Sequence, residues 1–248
     1  MRLKNKTVLI TGATSGIGFA AAQRAIEEGA FVVFTGRNQD QILQTQNQLG
    51  TQSLGISCDH SNLASQDNFT QKIQELSIKF DVIYINAGNV THEAFGQWTT
   101  EQFDVIFNTN VKGPFFLIQN LLSMINPHAS VILCGSTSIH IALEKSSVYA
   151  ASKIALRSLA KTLSRELLAH QIRFNLLSPG PTLTPALNKV ANTPAETEQL
   201  KVSIENLVPI KRLADPIEIA NAFIYLASDE AKFIVGSELL IDGGVANL

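Results

Sequence analysis

"KTVLITGATSGIGFAAAQRAIEEG" (residues 6–29) decides the fold. A short β-branched run reads as a strand, "TGATSGIG" (11–18) is a glycine-rich turn, and the rest has the apolar spacing of a helix. Gly12, Gly16 and Gly18 fall as G-x-x-x-G-x-G, a variant of the dinucleotide fingerprint. Glycine permits a tight turn and close approach of a ligand to the backbone, and the first amides of the helix face a pyrophosphate. Many such turns bind nothing. The place of this one, between the first strand and the first helix, is what points to a nucleotide.

The rhythm continues outward. "AFVVFTG" (30–36), "SLGISCD" (53–59), "DVIYINAG" (81–88), "ASVILCGS" (129–136), "IRFNLLSPG" (172–180) and a final "SELLIDGG" (237–244) are strand-like. Most are apolar nearly throughout, as strands covered on both faces should be. Amphipathic stretches separate them, the longest at 100–125 and 146–170. Strand–helix alternation predicts an α/β, Rossmann-type doubly wound parallel sheet of seven strands with right-handed crossovers and helices on both faces. The 248 residues suit a single domain, with no linker or repeat. One stretch breaks the alternation: the Pro- and Thr-punctuated segment at 181–216, which reads as a lid insertion over the carboxyl ends of the strands.

Composition excludes several functions. A net charge of −2 gives no reason to expect nucleic acid or an anionic membrane as partner. No apolar run is long enough to span a bilayer. The apolar part of "MRLKNKTVLITG" is too short for a signal peptide, so a cytoplasmic location is expected. The two cysteines, Cys58 and Cys134, end apolar runs and read as small buried residues, and the five histidines show no ligand spacing. The chain is expected to be metal-free.

Two further stretches carry chemistry. In "SVYAASK" (147–153) Tyr149 and Lys153 stand four residues apart, on one face of a helix. A phenol beside an ammonium can give or take a proton near neutral pH. The second strand ends "FTGRN", with Arg37 and no acid until Asp40, which reads as capping or opening the next helix. An acid at this strand end binds the ribose hydroxyl of NAD, whereas an arginine accommodates the 2′-phosphate of NADP. NADP(H) is therefore expected, with NAD possible, and a Gly36→Asp, Arg37→Ala double change is expected to shift preference toward NAD(H).

Together these residues resemble the short-chain dehydrogenase/reductase family, in its branch of about 250 residues. The resemblance covers essentially the whole chain: "TGATSGIG", "NAG" (86–88), "NTNVKG" with Asn110, "GS" (135–136) lying 13 residues before Tyr149, "YAASK", "SPGPTLTP" and "LLIDGG". It implies an alcohol dehydrogenase or carbonyl reductase. Tyr149 would be the general acid in reduction and the base in oxidation, and Ser136 would hold the substrate oxygen, the spacing favouring it over Ser138. Lys153 would assist Tyr149 and bind the nicotinamide ribose. Asn110 would hold a water linking Lys153 to solvent.

Cofactor contacts carry over by position. Thr14, Ser15 and Ile17 join Gly12, Gly16 and Gly18 at the pyrophosphate turn. Cys58 and Asp59 would lie at the adenine, and Asn86, Ala87 and Gly88 along the adenosine ribose. Pro179, Gly180 and Thr182 would lie near the nicotinamide and Thr184 at a phosphate. Relatives preferring NADP often carry a second basic residue where this chain has Ser15.

The variable pocket walls are expected at 89–97, 137–147 and 183–210. They offer Phe95, Ile139, Ile141, Leu143, Leu187, Val190 and Leu207, with His92, His140, Glu144 and Lys145 as polar possibilities. Such walls suit a small-molecule ketone or secondary alcohol with hydrocarbon bulk. His140 reads as a wall or solvent residue. A 3-oxoacyl-[acyl-carrier-protein] reductase is the alternative, but "SMINPHAS" (123–130) and "LLAHQ" (167–171) lack the basic residues that would dock an acidic carrier. A non-catalytic dinucleotide-binding regulator is the alternative from another class, disfavoured because all four catalytic positions are present. A homotetramer is expected from the resemblance.

Overall fold

The structure is a computed structural model that describes residues 1–185, 187 and 193–248. Seven strands form one parallel sheet: β1 (Thr7–Ile10), β2 (Phe31–Gly36), β3 (Ser53–Ser57), β4 (Phe80–Ile85), β5 (Ile125–Cys134), β6 (Arg173–Pro179) and β7 (Glu238–Ile241). Their order is β3-β2-β1-β4-β5-β6-β7, so the sheet is wound outward in two directions from β1 and β4, as the alternation predicts. A crevice opens at that switch point, beyond the carboxyl ends of the strands.

Helices follow the strands. They are α1 (Gly16–Glu27), α2 (Gln39–Leu49), α3 (Leu63–Glu75), α4 (Thr100–Phe107), α5 (Gly113–Leu121), α6 (Ser147–Glu166), α7 (Pro194–Leu207) and α8 (Pro216–Ala227). Alternate strand residues sort onto opposite faces. Val8, Ile10, Val32, Phe34 and Tyr84 meet the alanines of α1 and Phe223 of α8, with Tyr84 and Phe223 stacked at 4.7 Å. Leu9, Val33, Ile83, Val131 and Phe174 meet Phe69 of α3, Leu117 and Leu121 of α5, and Leu156 of α6. Each side chain named is fully or almost fully withdrawn from water, and at roughly 25 cal/mol per Å² this two-sided burial is the main source of stability.

Two local readings are refined. Of the two roles read for Asp40, the structure shows the opening one: it sits in the first turn of α2 beside the positive end of the helix, while the cap is Asn38, whose side chain accepts from Gln41 N–H at 3.0 Å. The long stretch at 100–125 is not one regular helix: Asn108–Lys112 is a π-helical turn joining α4 to α5. Such turns interrupt a helix without ending it, and they recur at functional sites.

The two ends of the segment at 181–216 are joined. Leu183 N–H donates to Ala214 O at 2.8 Å and Ala214 N–H to Pro181 O at 3.0 Å, which closes the base of the excursion that carries α7. Val190, expected as a pocket wall, lies outside the described residues.

Candidate active site

The glycine-rich turn leaves β1 with Gly12 at φ +66° and Gly16 at φ +57°, the left-handed region that favours glycine. Gly18 has a different reason to lack a side chain. A Cβ there would lie 2.4 Å from Gly12 O and 2.6 Å from Asn86 Nδ2. The Asn86 amide donates to Thr11 O and Gly12 O at 3.0 and 3.2 Å, and Thr11 Oγ1 accepts from both Asn86 N–H and Ala87 N–H at 2.9 Å. The "NAG" stretch therefore braces the turn as well as lining the crevice. Helix α1 starts at Gly16 with exposed Ser15 as N-cap, no side-chain cap and no acidic residue in its first turn. Its first amides are left for an anion. Thr184 comes over the same turn, its Cγ2 within 3.3 Å of where a Cβ on Gly16 would sit.

At the end of β2, Arg37 is exposed and bonded to no described residue. Asp59 is half-buried and accepts from Ser61 N–H at 3.0 Å and Ser61 Oγ–H at 2.7 Å. Burial works against its charge, but those bonds and the nearby Arg37 hold its carboxyl below the usual range. Cys58 is buried, as its place at the end of an apolar run predicts. Its thiol points into the core beside Ser65 O and His60 Nδ1, where burial pushes it up to about 12.

Sequence reasoning missed His60. It is 7% exposed, and its Nε2 lies 2.7 Å from Thr35 Oγ1, which in turn accepts Gly12 N–H at 3.3 Å. Every donor is satisfied if Thr35 O–H donates to Nε2, Nδ1–H faces the Cys58 sulfur at 3.7 Å, and the thiol faces Ser65 O. Burial holds the imidazole neutral, with its pKa lowered to about 4. A buried polar chain thus runs from β3 to the first glycine of the turn.

Tyr149 and Lys153 share one face of α6, as their spacing requires, and both are buried, at 9% and 4% exposure. Lys153 Nζ donates to Cys134 O at 2.8 Å and stands 5.8 Å from the centre of the Tyr149 ring. Asn110, in the π-helical turn, is brought to the same place. A Cβ on Gly88 would lie 3.3 Å from Lys153 Nζ and 3.4 Å from Asn110 Oδ1, so glycine is what lets this loop pass over both. The Asn110 amide is already engaged: Oδ1 accepts Asn89 N–H at 2.7 Å, and Nδ2 donates to Asn89 O at 2.9 Å and Ser152 Oγ at 3.0 Å. Ser152 O–H passes the chain to Tyr149 O at 2.7 Å. Its place inside "YAASK" was the available signal for that role.

Strand β5 delivers the serine loop. Ser136 is half-buried, and its Oγ accepts Ser138 N–H at 3.1 Å. Ser138 Oγ is buried without a partner in the protein, so the rival serine stays chemically open. Pro179 is tied to this loop, its carbonyl accepting from Thr137 Oγ1 at 3.2 Å. Gly180 passes so close to Asp242 that a Cβ would sit 2.5 Å from Asp242 Cα, and Thr182 Oγ1 turns back to Gly180 O at 2.9 Å.

His140 remains partly exposed, but it has a further role that the sequence did not show. Its Nε2–H donates to Glu238 Oε1 at 2.8 Å, the same oxygen accepts Ser178 Oγ–H at 2.6 Å, and Arg157 Nε pairs with Glu238 Oε2 at 3.0 Å. The Glu238 side chain is only 9% exposed. One buried carboxylate therefore ties together the serine loop, β6, α6 and β7. His92 faces the site instead, with its ring edge-on to Tyr149 at 5.8 Å and burial lowering its pKa.

A sequence model described as enoyl-(acyl carrier protein) reductase matches residues 12–246, nearly the whole chain that builds this site. The chain belongs to the short-chain dehydrogenase/reductase family. This short-chain dehydrogenase/reductase is 36% identical over 249 residues to oxidoreductase asL5 of Sarocladium schorii, covering 100% of this chain and 98% of the relative. It is 34% identical to a 3alpha-hydroxysteroid dehydrogenase of Mediterraneibacter gnavus, over 98% of both chains. Among solved structures, L-sorbose reductase from Gluconobacter frateurii, complexed with NADPH and L-sorbose, superposes with a TM-score of 0.92 at 27% identity, covering 100% of each chain. The family binds a nicotinamide dinucleotide. The open first turn of α1 and the glycines at 12, 16, 18 and 88, where side chains would crowd the crevice, fit such a group. Among the described residues no cluster could hold a metal ion, and no helix is long and apolar enough to cross a membrane.

Proposed function

We propose that this oxidoreductase is an NADP(H)-dependent carbonyl reductase, interconverting a ketone of largely apolar character and its secondary alcohol. The observation that carries the reading is the buried Tyr149–Lys153 pair, held on Cys134 O and Ser152 at the mouth of the crevice.

When bound, the cofactor supplies or accepts the hydride. The chain handles the proton and the geometry. In reduction the Tyr149 phenol gives its proton to the carbonyl oxygen as negative charge builds there, while the Ser136 hydroxyl donates a hydrogen bond to the same oxygen. The Lys153 ammonium has three protons. One is fixed on Cys134 O, and the other two would serve the cofactor ribose and the Tyr149 phenol. Asn110 positions rather than reacts, holding the loop at Asn89 and, through Ser152, the first turn of α6. Proton return to Lys153 therefore runs past the π-helical turn without using the Asn110 amide hydrogens. In oxidation each transfer reverses.

Free Arg37 at the end of β2, with Asp59 already engaged by Ser61, supports NADP(H). Phe95, Leu143 and Leu183 in loops and Leu207 at the end of α7, all exposed, support an apolar substrate. An apolar groove of about 570 Å³ between the α4–α5 stretch and α6, lined by Phe107, Val111, Phe115 and Leu159, supports assembly with further copies of the chain.

The test is NADPH and NADH oxidation, side by side, against aliphatic, aryl and cyclic ketones, with Tyr149→Phe as control. The reading expects turnover with NADPH that falls by ~10²–10⁴ in the variant. Preference for NADH would refute the cofactor assignment, and undiminished turnover by the variant would refute the mechanism.

A further inference from the structure

Gly36 stands at the end of β2, where an acid would select NAD, and its backbone is one that any residue can adopt. What it lacks is room. A Cβ there would lie 2.5 Å from Thr14 Cγ2 and 3.1 Å from Ile42 Cγ1. Real Cβ atoms essentially never come as close as the first of these, so one neighbour would have to move.

Neither neighbour yields easily. Ile42 is 1% exposed, and its other branch is clamped against β3: a Cβ on Gly55 would lie 2.4 Å from Ile42 Cγ2 and 2.7 Å from Phe34 Cζ. Thr14 is half-buried in the glycine turn and, being β-branched, stiff at χ1. Its own backbone is pinned by its neighbours, since Ala13 N–H donates to Thr35 O at 3.0 Å and Gly12 N–H to Thr35 Oγ1. Two parts of the nucleotide site, the pyrophosphate turn and the ribose end of β2, thus meet at one methyl group.

We propose that Thr14 is a second, steric determinant of cofactor choice, its methyl filling the space that the side chain of an acid at position 36 would need. The inference rests on the NADP(H) reading, in which Arg37 supplies the attraction. Thr14 supplies the exclusion. Selection against NAD is then a property of the pair Thr14 and Gly36, and the double change at Gly36 and Arg37 expected above to switch preference is incomplete without a change at Thr14.

The test is a set of purified proteins: wild type, Gly36→Asp, Thr14→Ser and the double variant, with Thr14→Val, Gly36→Asp as control. Binding of NAD⁺ and NADP⁺ is titrated calorimetrically, with no turnover required. Serine removes only the methyl, and valine keeps it. Gly36→Asp alone should bind NAD⁺ no better than wild type. Adding Thr14→Ser should tighten NAD⁺ binding by about tenfold, the scale of coupling between residues in contact, and adding Thr14→Val should not. An equal gain in Gly36→Asp alone, or in the valine control, overturns the proposal.

If the aspartate variants do not fold, melting of the apo proteins decides. Gly36→Ala should melt below wild type, and Thr14→Ser should restore it. Equal melting of wild type and Gly36→Ala overturns the steric coupling. Tighter NAD⁺ than NADP⁺ binding by wild type would instead refute the NADP(H) reading, and the coupling between positions 14 and 36 would still be read from the same melts.

Discussion

Replacing His60 with glutamine should remove a specific part of the acid sensitivity of this fold. The ring is buried between Thr35 and Cys58 with no carboxylate bonded to it, and its pKa falls from the ordinary 6.5 to about 4. Well above pH 6.5 the ring is neutral whether the chain is folded or not, and its titration adds nothing. Below that value the unfolded chain takes up a proton that the folded one refuses, so the native state loses ground until the folded ring protonates near pH 4. At about 1.4 kcal/mol per pH unit, the fall from 6.5 to about 4 amounts to a loss of about 3 kcal/mol. For a chain of this size that is roughly a 10 °C drop in Tm.

The assay is thermal unfolding followed by circular dichroism, from about pH 7 down to about pH 4, in wild type and His60→Gln. The variant should start lower, by about 1–3 kcal/mol for the disturbed polar chain, but lose much less as the pH falls. The other perturbed groups are separable. Glu28, held at about 2 by the Arg2 backbone and guanidinium, and Glu218, held at about 2 by Arg212, destabilise only as pH falls below the ordinary carboxylate range. His92 acts in the same direction as His60 but is unchanged by the substitution. Parallel pH profiles for the two proteins would refute the buried neutral ring.

Two further outcomes follow from the site. Ser136→Ala should lower kcat/KM by ~10²–10³ with cofactor binding retained, while Ser138→Ala should cost much less; the reverse order in steady-state kinetics would transfer the oxygen-holding role to the unpartnered Ser138 hydroxyl. Ser152→Ala should cost about 1–3 kcal/mol in urea unfolding, because Asn110 Nδ2 and Tyr149 O both lose a buried partner. It should also lower kcat, and an unchanged kcat would detach Ser152 from the proton-handling apparatus.

The parts of this structure that were legible are those whose signal is local. β-branched runs, the glycine turn and the Tyr149–Lys153 spacing each lie within a few residues, and the strands and the shared Tyr149–Lys153 face of α6 followed from them. What escaped was set by partners distant in the chain. His140 looked like a wall residue because Glu238 lies 98 positions away, and no local pattern marks a buried carboxylate on an edge strand. Cys58 was legible as buried, but its contact with His60 was not, because the ring comes from beyond the strand end and is itself fixed by Thr35. The crowding at Gly36 was invisible for the same reason, since it depends on Thr14 and Ile42 arriving from two other elements. The π-helical turn at Asn108–Lys112 carries no composition signal, and Asn110 was found only through a motif.

The carboxylate of Glu238 also sets an order of events during synthesis. It comes from β7, the strand of this sheet that leaves the ribosome last, yet it anchors His140 beside the serine loop and Arg157 one turn beyond Lys153. Strands β1 to β6 can pair before it is made, and the glycine turn can form on β1, β2 and β4. The serine loop and α6 are already tied to β6 and β5 through Thr137 and Lys153, but the contacts of His140 and Arg157 with Glu238 form only when β7 docks against β6. A nascent chain would therefore form its glycine turn first and complete the fastening of the serine loop and α6 only when β7 arrives.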